Sequence, residues 1–330
     1  MEMIAGPKSL ALEKEEGDED EHERPRDDEE RRRRKRCSII SSTSAVNGWS
    51  YGQRTTVTLR KQMAEVPALR FNQEPVPSHA GFHPALQIFS VKVIELKSIM
   101  RWPIDVFGFI AVRDALDQKR NHIFERARDN CQRVTAEDSS LVLTGPSRAV
   151  VLEDPIDFEI ELRVKHAMPS QDKLLTGDVF CYNCIAHVRK AGSLKKYLHS
   201  GPRRTLEFRY AHLETAQEAA IKVWISEGSA DFCAKFIAGT GSIEEKVTLL
   251  DSRDDMVPIS SDGFVNFSRS AVVVKGKLIV GVEARRIGDG ETSSVSKEVA
   301  FTRARSGESY GTIDVGFCKM GVVVSWSLLF

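Results

Sequence analysis

The sequence lacks an uncharged apolar stretch of the roughly 18 residues that a membrane-spanning helix requires, so we expect no such helix. Its first residues contain no basic segment followed by a continuous apolar core, which argues against a secretory signal. An excess of basic charge is missing as well, because 47 acidic residues balance 47 basic ones. Proteins that bind nucleic acids or membrane surfaces usually carry such an excess. We therefore expect no membrane partner.

Cysteine is scarce, with six residues in a chain of 330. So few cysteines at scattered positions do not form a disulfide framework, and reduced thiols are typical of cytoplasmic or nuclear proteins. Cys181, Cys184 and His187 have a metal-like Cys-x-x-Cys-x-x-His spacing. A structural zinc site generally needs a fourth ligand, and the sequence has no second Cys-x-x-Cys. We therefore expect that these three residues do not bind a metal, and we expect no cofactor.

Catalytic signatures are also scarce. The sequence has no His-Glu-x-x-His and no phosphate-binding loop, and we expect no Gly-x-Ser-x-Gly elbow of the hydrolase type. We therefore favour a protein that is not an enzyme. Two groups of aspartates would suit Ca²⁺ if loops brought them together, although carboxylates in turns are usually only solvated. The groups are Asp114, Asp117 and Asp129, and Asp251, Asp254, Asp255 and Asp262.

Residues 1–80 are polar and strongly charged, and we expect this tail to be disordered. Acidic residues dominate from Glu13 to Glu30. An uninterrupted basic run follows at Arg31, Arg32, Arg33, Arg34, Lys35 and Arg36. Such a run is typical of a nuclear-import signal or an RNA contact, unless the neighbouring acids neutralise it. Apart from this run, we expect no contact with nucleic acid.

Residues 81–330 show a two-residue alternation that predicts strands. In Ile156–Lys165 every even position is apolar and every odd position is charged. Because successive side chains of a strand point to opposite faces, this segment should have one buried face and one wet face. The last segment alternates in the same way at Val322, Val324, Trp326 and Leu328. We expect that segment to be a central strand, and we assign Trp224 and Trp326 to the core.

Turn-forming residues separate about 12–15 such segments, and helical periodicity is nearly absent. The pattern predicts an all-β domain with antiparallel sheets, either a β-sandwich or barrel-like. Short sequences also recur in the same order, which indicates two related β units at residues 85–215 and 216–330 unless the matches arise by chance. The matched pairs are Asp105–Ala111 with Asp231–Ala238, Arg148–Val151 with Arg269–Val273, and Thr205–Phe208 with Thr312–Val315.

A series of short motifs runs through this part of the chain: Trp102-Pro103 before Val106-Phe107-Gly108, then Arg128–Cys131, Leu143–Val151, Leu249–Ser252 and Gly316–Leu328. Together they resemble an uncharacterised family of domains of unknown function that is abundant in grasses. The resemblance implies a plant source and a β-rich domain. The family is sometimes joined to ribosome-inactivating domains, which are rRNA N-glycosidases. It supplies no catalytic or binding residue to carry over.

Glu283 and Arg286 show the Glu-Ala-x-Arg order of the ribosome-inactivating active site, where both residues lie on a helix. Here they fall on a predicted strand and would face opposite sides. Ile287 also stands where that site has an aromatic residue. We therefore expect no N-glycosidase activity from these two residues.

Three functions remain open. The first is a non-enzymatic interaction module with a protein partner, in plant defence or stress as the resemblance implies, and it predicts a flat contact patch. The second is a carbohydrate- or small-ligand-binding β-sandwich, which predicts a concave sheet face with exposed aromatic residues. The third is an unrecognised hydrolase, which predicts a pocket containing a histidine or carboxylate of strongly shifted pKa.

Overall fold

The computed structural model describes residues 66–117, 119–184, 192–241, 243–287 and 294–329. Within them, the helical content is two short 3₁₀ segments, Arg128–Asn130 and Pro169–Gln171, and none of it could cross a membrane. The strands are β1 His83–Leu96, β2 Ile104–Arg113, β3 Asn121–Arg126, β4 Gln132–Val134, β5 Val150–Val151, β6 Ile156–Val164, β7 Lys173–Tyr182, β8 Leu194–Ser200, β9 Arg204–Gly228, β10 Phe232–Thr240, β11 Val247–Asp251, β12 Ala271–Val274, β13 Leu278–Arg286, β14 Val295–Phe301, β15 Ser306–Asp314 and β16 Cys318–Ser327.

The predicted all-β class is confirmed, and strand β6 shows why the alternation predicted it. Ile156, Phe158, Ile160, Leu162 and Val164 are buried, while the residues between them are partly or fully exposed. The neighbouring strands β2 and β7 pair with β6 in antiparallel register. The apolar side chains of β6 therefore point into a core while its charged side chains meet water.

The first half of the chain forms a sandwich of two layers. One layer contains β8, the N-terminal part of β9, β1 and β5. The other has the order β7-β6-β2-β3, with β4 beside β2. Val91 and Phe208 of the first layer share one core with Ile110 and Leu162 of the second.

The second half forms a sandwich with the same strand order. One layer contains β15, β16, the C-terminal part of β9 and β12, and the other has the order β14-β13-β10-β11. Val223 and Trp326 of the first layer share a core with Phe236 and Val282 of the second. None of the described sheets closes into a barrel.

Two of the three repeated sequences lie on corresponding strands. The first pair lies on β2 and β10, and the second leads into β5 and β12. The third pair does not correspond, because Thr205 lies on β9 and Thr312 lies on β15. The order of strands in the two halves, rather than every short sequence match, therefore carries the relation between them.

Strand β9 belongs to both sandwiches. It runs for 25 residues without a break. Its residues up to Ala216 pair with β1, and its residues from Glu218 onward pair with β16. The predicted boundary between residues 215 and 216 therefore falls inside a continuous strand.

Residues 66–82 lie against the second sandwich. Phe71 and Gly81 form isolated bridges with Leu328 and Leu329, and Phe71 is buried. The Leu69 amide donates a hydrogen bond of 2.7 Å to Oε1 of the buried Glu218. Ordered packing thus begins ahead of the predicted boundary at residue 81. The rest of the tail lies outside the described residues.

Arg269 connects the two sandwiches. Its side chain is buried and donates to the backbone oxygens of Ile88 and Phe89 on β1, each at 2.8 Å. The same guanidinium donates to the oxygen of Thr248 on β11 at 2.9 Å. Burial lowers the pKa of Arg269 to about 10, which leaves the group charged at neutral pH. A charged donor therefore satisfies three backbone acceptors at the junction.

Gly108 allows β2 and β6 to approach closely. Its φ is +111°, and a Cβ at this position would lie 2.1 Å from the Glu161 oxygen. We expect Gly108→Ala to lower the free energy of unfolding by about 2 kcal/mol, because both the conformation and the contact oppose a side chain. Urea denaturation would measure it. Gly263→Ala is the control, since Gly263 also has a positive φ of +84° but has open space around it. Equal losses in the two variants would contradict the steric argument.

Candidate functional site

An open groove of about 420 Å³ lies on the outer face of the sheet that contains β9, β16 and β15. We call it the aromatic groove. Its lining residues are Lys222, Trp224, Ile225, Asp262, Gly263, Phe264, Glu308, Tyr310, Val323 and Ser325. Three of them are aromatic, two are acidic and one is basic, so the groove offers apolar faces together with hydrogen-bonding groups.

Strand pairing places the floor of the aromatic groove. Val323 on β16 pairs with Lys222 on β9, and Gly321 pairs with Trp224. Directly paired residues share a face of the sheet, so these four point outward together. The residue between Lys222 and Trp224, Val223, points inward and is fully buried in the core.

Trp224 lies over its partner on β16, Gly321, because that residue has no side chain. A Cβ at Gly321 would come within 2.1 Å of Cζ2 of the Trp224 indole. The indole also makes an edge-on contact with Phe264, with ring centroids 5.9 Å apart. The assignment of Trp224 to the core was wrong, because this residue has the outward phase of the alternation. Trp326 is fully buried, which confirms its assignment.

Strand β15 forms one wall of the aromatic groove. The Tyr310 side chain is 68% exposed, and its hydroxyl donates to Oε2 of Glu308. This hydrogen bond raises the pKa of Tyr310. The Ser325 hydroxyl on the floor donates to Oε1 of the same carboxylate at 3.2 Å. Glu308 therefore orients an exposed phenol ring at the edge of the groove.

The turn between β11 and β12 forms the opposite wall. Trp224 is bridged to Phe264, which brings the turn against β9. Gly263 closes the turn with a φ of +84°, and the Ser260 hydroxyl donates to Asp262. That hydrogen bond lowers the pKa of Asp262 below its usual value. The wall thus offers an ionised carboxylate beside an aromatic ring.

At the corresponding place in the first sandwich, the described residues form no aromatic groove. There Lys92 pairs with Glu207. Lys92 is bridged to the loop before β5, just as Trp224 is bridged to the loop before β12, and β5 and β12 are corresponding strands. Lys92 thus takes the place of Trp224, Glu207 that of Gly321, and Lys196 that of Tyr310. Lys196 Nζ lies 2.6 Å from Oε2 of Glu207. The shared topology therefore does not require a groove, and its residues are particular to the second sandwich.

A second cluster of polar side chains joins the two layers of the first sandwich. Asp178 on β7 accepts hydrogen bonds from His199 Nε2 at 3.2 Å, from Thr176 Oγ1 at 2.7 Å and from the buried Arg204. The bond to His199 and the other partners hold the pKa of Asp178 far below its usual value. A carboxylate held so firmly in its ionised form is a weak general base near neutral pH. This cluster therefore stabilises the sandwich and gives little support to a hydrolase.

The comparison with protein families decides the family. The domain described as Domain of unknown function (DUF6598) matches residues 85–324. The chain belongs to the DUF6598 family. No match was found among curated proteins.

Solved structures give only distant likenesses to this DUF6598 chain. Human GIVD cytosolic phospholipase A2 is 11% identical, with a TM-score of 0.26, over 76% of this chain and 31% of that one. The chain thus spans about a third of the phospholipase. The two calcium-bound C2 domains of Extended-Synaptotagmin 2 are 10% identical, with a TM-score of 0.24, over 76% and 99% of the two chains. Scores this low carry no argument about fold or function.

The sequence-predicted metal ligands of the DUF6598 chain are only partly described. Cys181 is half-buried on β7, and Cys184 is buried just after it. His187 lies outside the described residues, so this set stays a prediction. In the described part of the chain, no three His, Cys, Asp or Glu side chains are placed to hold a metal ion. The basic run Arg31–Arg36 also lies outside the described residues.

The structure does not bring the two groups of aspartates together as cation sites within the residues that it describes. Asp114 is buried and paired with Arg148 through contacts of 2.7 and 2.9 Å. Asp117 instead accepts a bond of 2.9 Å from the Val66 amide. In the second group, Asp254 pairs with Arg285 at 2.7 Å, whereas Asp262 belongs to the aromatic groove.

The expectation that the sequence lacks a Gly-x-Ser-x-Gly spacing was wrong. Residues Gly48–Gly52 and Gly307–Gly311 both have it. The first lies outside the described residues. The second lies on β15, whereas a nucleophile elbow is a sharp turn between a strand and a helix. The hydroxyl of its Ser309 accepts a hydrogen bond of 2.9 Å from Trp326 Nε1. Its central serine therefore positions a core tryptophan.

Glu283 of the Glu-Ala-x-Arg sequence lies on β13, as predicted from the sequence. It is exposed, with its backbone paired to Ser296 and Lys235 of the neighbouring strands. The strand conformation differs from the helix on which the ribosome-inactivating pair works, so it offers no support for that activity.

Proposed function

We propose that this chain is a non-enzymatic binding protein whose aromatic groove binds a carbohydrate. The observation that supports it is the platform that the Trp224 indole forms over Gly321, in a groove that Phe264 and Tyr310 also line. Sugar rings present apolar C–H faces that stack on aromatic rings, and their hydroxyls need both donors and acceptors. A concave, largely apolar site with a few polar groups suits such a ligand.

The polar groups around the platform match hydroxyl-rich ligands. Glu308 and Asp262 accept hydrogen bonds, Lys222 donates them, and Ser325 can do both. The groove volume of about 420 Å³ falls within the usual range of small-ligand sites. One or two sugar units would therefore cover the platform while their hydroxyls reach the walls.

Charge distinguishes a neutral ligand from a cationic one. Aromatic rings also bind quaternary ammonium groups, which are attracted to the ring faces. Here Lys222 Nζ already lies 5.8 Å from the centroid of the Phe264 ring. This ammonium group already takes the cation position at that ring, so a second cation would be repelled there even though the two carboxylates of the groove attract it. A neutral polyol meets no such repulsion and can use both the carboxylates and the lysine.

The concave shape favours this function over a flat contact patch for a protein partner. The setting is part of the proposal: the sequence resemblance implies a grass protein that acts in defence or stress, and the scarcity of cysteine favours the cytoplasm or nucleus. In that setting, the ligand would be a saccharide of the plant or of an attacking organism.

The proposal predicts that Trp224→Ala weakens saccharide binding. The full chain would be screened on an array of cello-, xylo-, galacturono- and chito-oligosaccharides, and each hit would be titrated by calorimetry. We expect the affinity to fall by about tenfold or more, because the stacking platform is lost. Gly321→Ala should also weaken binding, since its Cβ displaces the indole without removing it.

Tyr197→Ala is the matched control for this experiment. Tyr197 is an aromatic residue on β8 with 39% of its surface exposed, and it lies outside the aromatic groove. Its removal should leave the affinity unchanged. The proposal fails if no saccharide binds the wild-type chain, or if Trp224→Ala binds as well as the wild type while remaining folded.

A further inference from the structure

Four loops meet at one end of the first sandwich, and we call this surface the basic end. They connect β1 to β2, β3 to β4, β6 to β7 and β8 to β9, and they cover residues 97–103, 127–131, 165–172 and 201–203. The Lys97 amide donates to the Arg203 oxygen at 2.7 Å, which joins the first loop to the last. The Lys165 amide donates to the Asp105 oxygen at 2.8 Å, which joins the third loop to the start of β2.

The basic end carries an excess of positive charge. The four loops contain five basic residues and two acidic ones, Asp129 and Asp172. Asp172 is already engaged, because Arg128 Nε lies 2.7 Å from it. Unlike Arg128, which pairs with a carboxylate, Arg101 donates hydrogen bonds to the backbone oxygens of Ser98 and Met100. The remaining basic residues are Lys97, whose Nζ lies 3.3 Å from Oε2 of Glu95 on β1, and Lys165 and Arg203.

Two large aliphatic side chains project from the same surface. Ile99 is 69% exposed at the tip of the first loop, and Met168 is 60% exposed in the third. A hydrogen bond of 3.2 Å from the Met100 amide to the Lys97 oxygen closes the turn that presents Ile99. Trp102 packs against the first core behind this turn. The tip is therefore held in place, with Lys97 and Arg101 on either side of it.

Aliphatic tips surrounded by basic residues match the chemistry of one partner, the surface of a bilayer that contains anionic lipids. Apolar side chains that reach the acyl chains and basic ones that meet the headgroups both contribute to binding there. Nucleic acid would use the same charges but would leave Ile99 and Met168 without an apolar partner, because specific contacts with single strands use aromatic rings instead.

We propose that the basic end binds the surface of an anionic bilayer, with Ile99 and Met168 inserted between the lipids. The net charge of the chain led to the opposite expectation, that there is no membrane partner. That sum is zero over all residues, but the four loops at this end carry five basic residues against two acidic ones. The proposal does not depend on the aromatic groove, which belongs to the second sandwich.

Sedimentation of the full chain with vesicles tests the proposal. Phosphatidylcholine vesicles with phosphatidylserine should bind the chain, and vesicles without it should bind it weakly. We expect Ile99→Asp to reduce partitioning to the anionic vesicles by about tenfold, and Arg101→Gln by about fivefold. Met256→Asp is the matched control, since Met256 is 60% exposed like Met168 but follows β11 in the second sandwich. It should partition like the wild type.

The basic run of the tail needs its own variant, because Arg31–Arg36 could also attract anionic lipids. With these six residues replaced by glutamine, the chain should still bind in a manner that depends on Ile99. Binding that survives Ile99→Asp but disappears with the tail replacement would overturn the proposal, and so would a lack of binding by the wild type. Trp224→Ala should leave vesicle binding unchanged, which separates this result from saccharide binding.

Discussion

Trp326→Ala should lower the free energy of unfolding by about 3–5 kcal/mol, the usual loss when a buried tryptophan becomes alanine. The side chain is fully buried on β16, the strand between β15 and β9. Its indole fills space in the second core and donates a hydrogen bond to Ser309 on β15. The substitution would thus remove a large part of the roughly 5–15 kcal/mol that typically stabilises a domain.

Urea denaturation followed by circular dichroism would measure this loss. Tyr310→Ala is the control, because it removes a large aromatic side chain from the adjacent strand β15 at a position 68% exposed. We expect that variant to remain within about 0.5 kcal/mol of the wild type. Trp326→Phe should fall between the two, since it retains most of the packing and loses the hydrogen bond to Ser309. A loss below about 1 kcal/mol for Trp326→Ala would show that the core is assigned wrongly.

Arg269→Met should destabilise the protein by about 3 kcal/mol, because it removes a charged donor from three backbone oxygens at the junction of the sandwiches. Methionine avoids the desolvation that burial imposes on the guanidinium, which lowers the pKa of Arg269 to about 10. The stabilisation gained in this way is smaller than the stabilisation lost, because the substitution removes the donor of the three hydrogen bonds and leaves their acceptors in place. The oxygens of Ile88, Phe89 and Thr248 would lose this donor.

The same denaturation experiment measures this prediction. Arg203→Met is the matched control, because Arg203 is an exposed arginine in the connection between β8 and β9. It should change the free energy of unfolding by less than about 0.5 kcal/mol. If the two substitutions have the same effect, Arg269 does not stabilise the junction.

Local alternation was sufficient to predict the strands. Ile156–Lys165 alternates in sequence, and β6 alternates in burial at the same positions. The central position of β16 also followed from sequence, since its residues are apolar or small on both faces. These features depend on neighbours one or two residues apart, which a sequence displays directly.

The aromatic groove could not be predicted in the same way. Trp224, Phe264 and Tyr310 are far apart in sequence, and strand pairing brings them together. Gly321 has its role because it is paired with Trp224. The sequence alone does not show which residues of two strands are paired. One signal was available: Trp224 follows Val223 and therefore has the outward phase of β9 if Val223 points inward.

The continuity of β9 was hidden for a different reason. Glu214 and Thr215 interrupt its alternation, and both are exposed in the structure. The sequence predicted a boundary between two units at this place because short sequences recur in the same order on either side of it, and such matches do not show whether one strand joins the units. The strand continues because β1 pairs with it up to Ala216 and β12 from Gln217 onward.

That shared strand has a consequence for how such a protein can evolve. A recombination breakpoint between Ala216 and Gln217 would leave each ladder within its own half, since β1 pairs with β9 up to Ala216 and β12 pairs with it from Gln217 onward. It would separate Arg269 from the oxygens of Ile88 and Phe89 that it binds across the junction. A half exchanged as a module would therefore have to bring residues that fit the other half at this junction. The two sandwiches should therefore be inherited together, and sequence changes in one should be selected in the presence of the other.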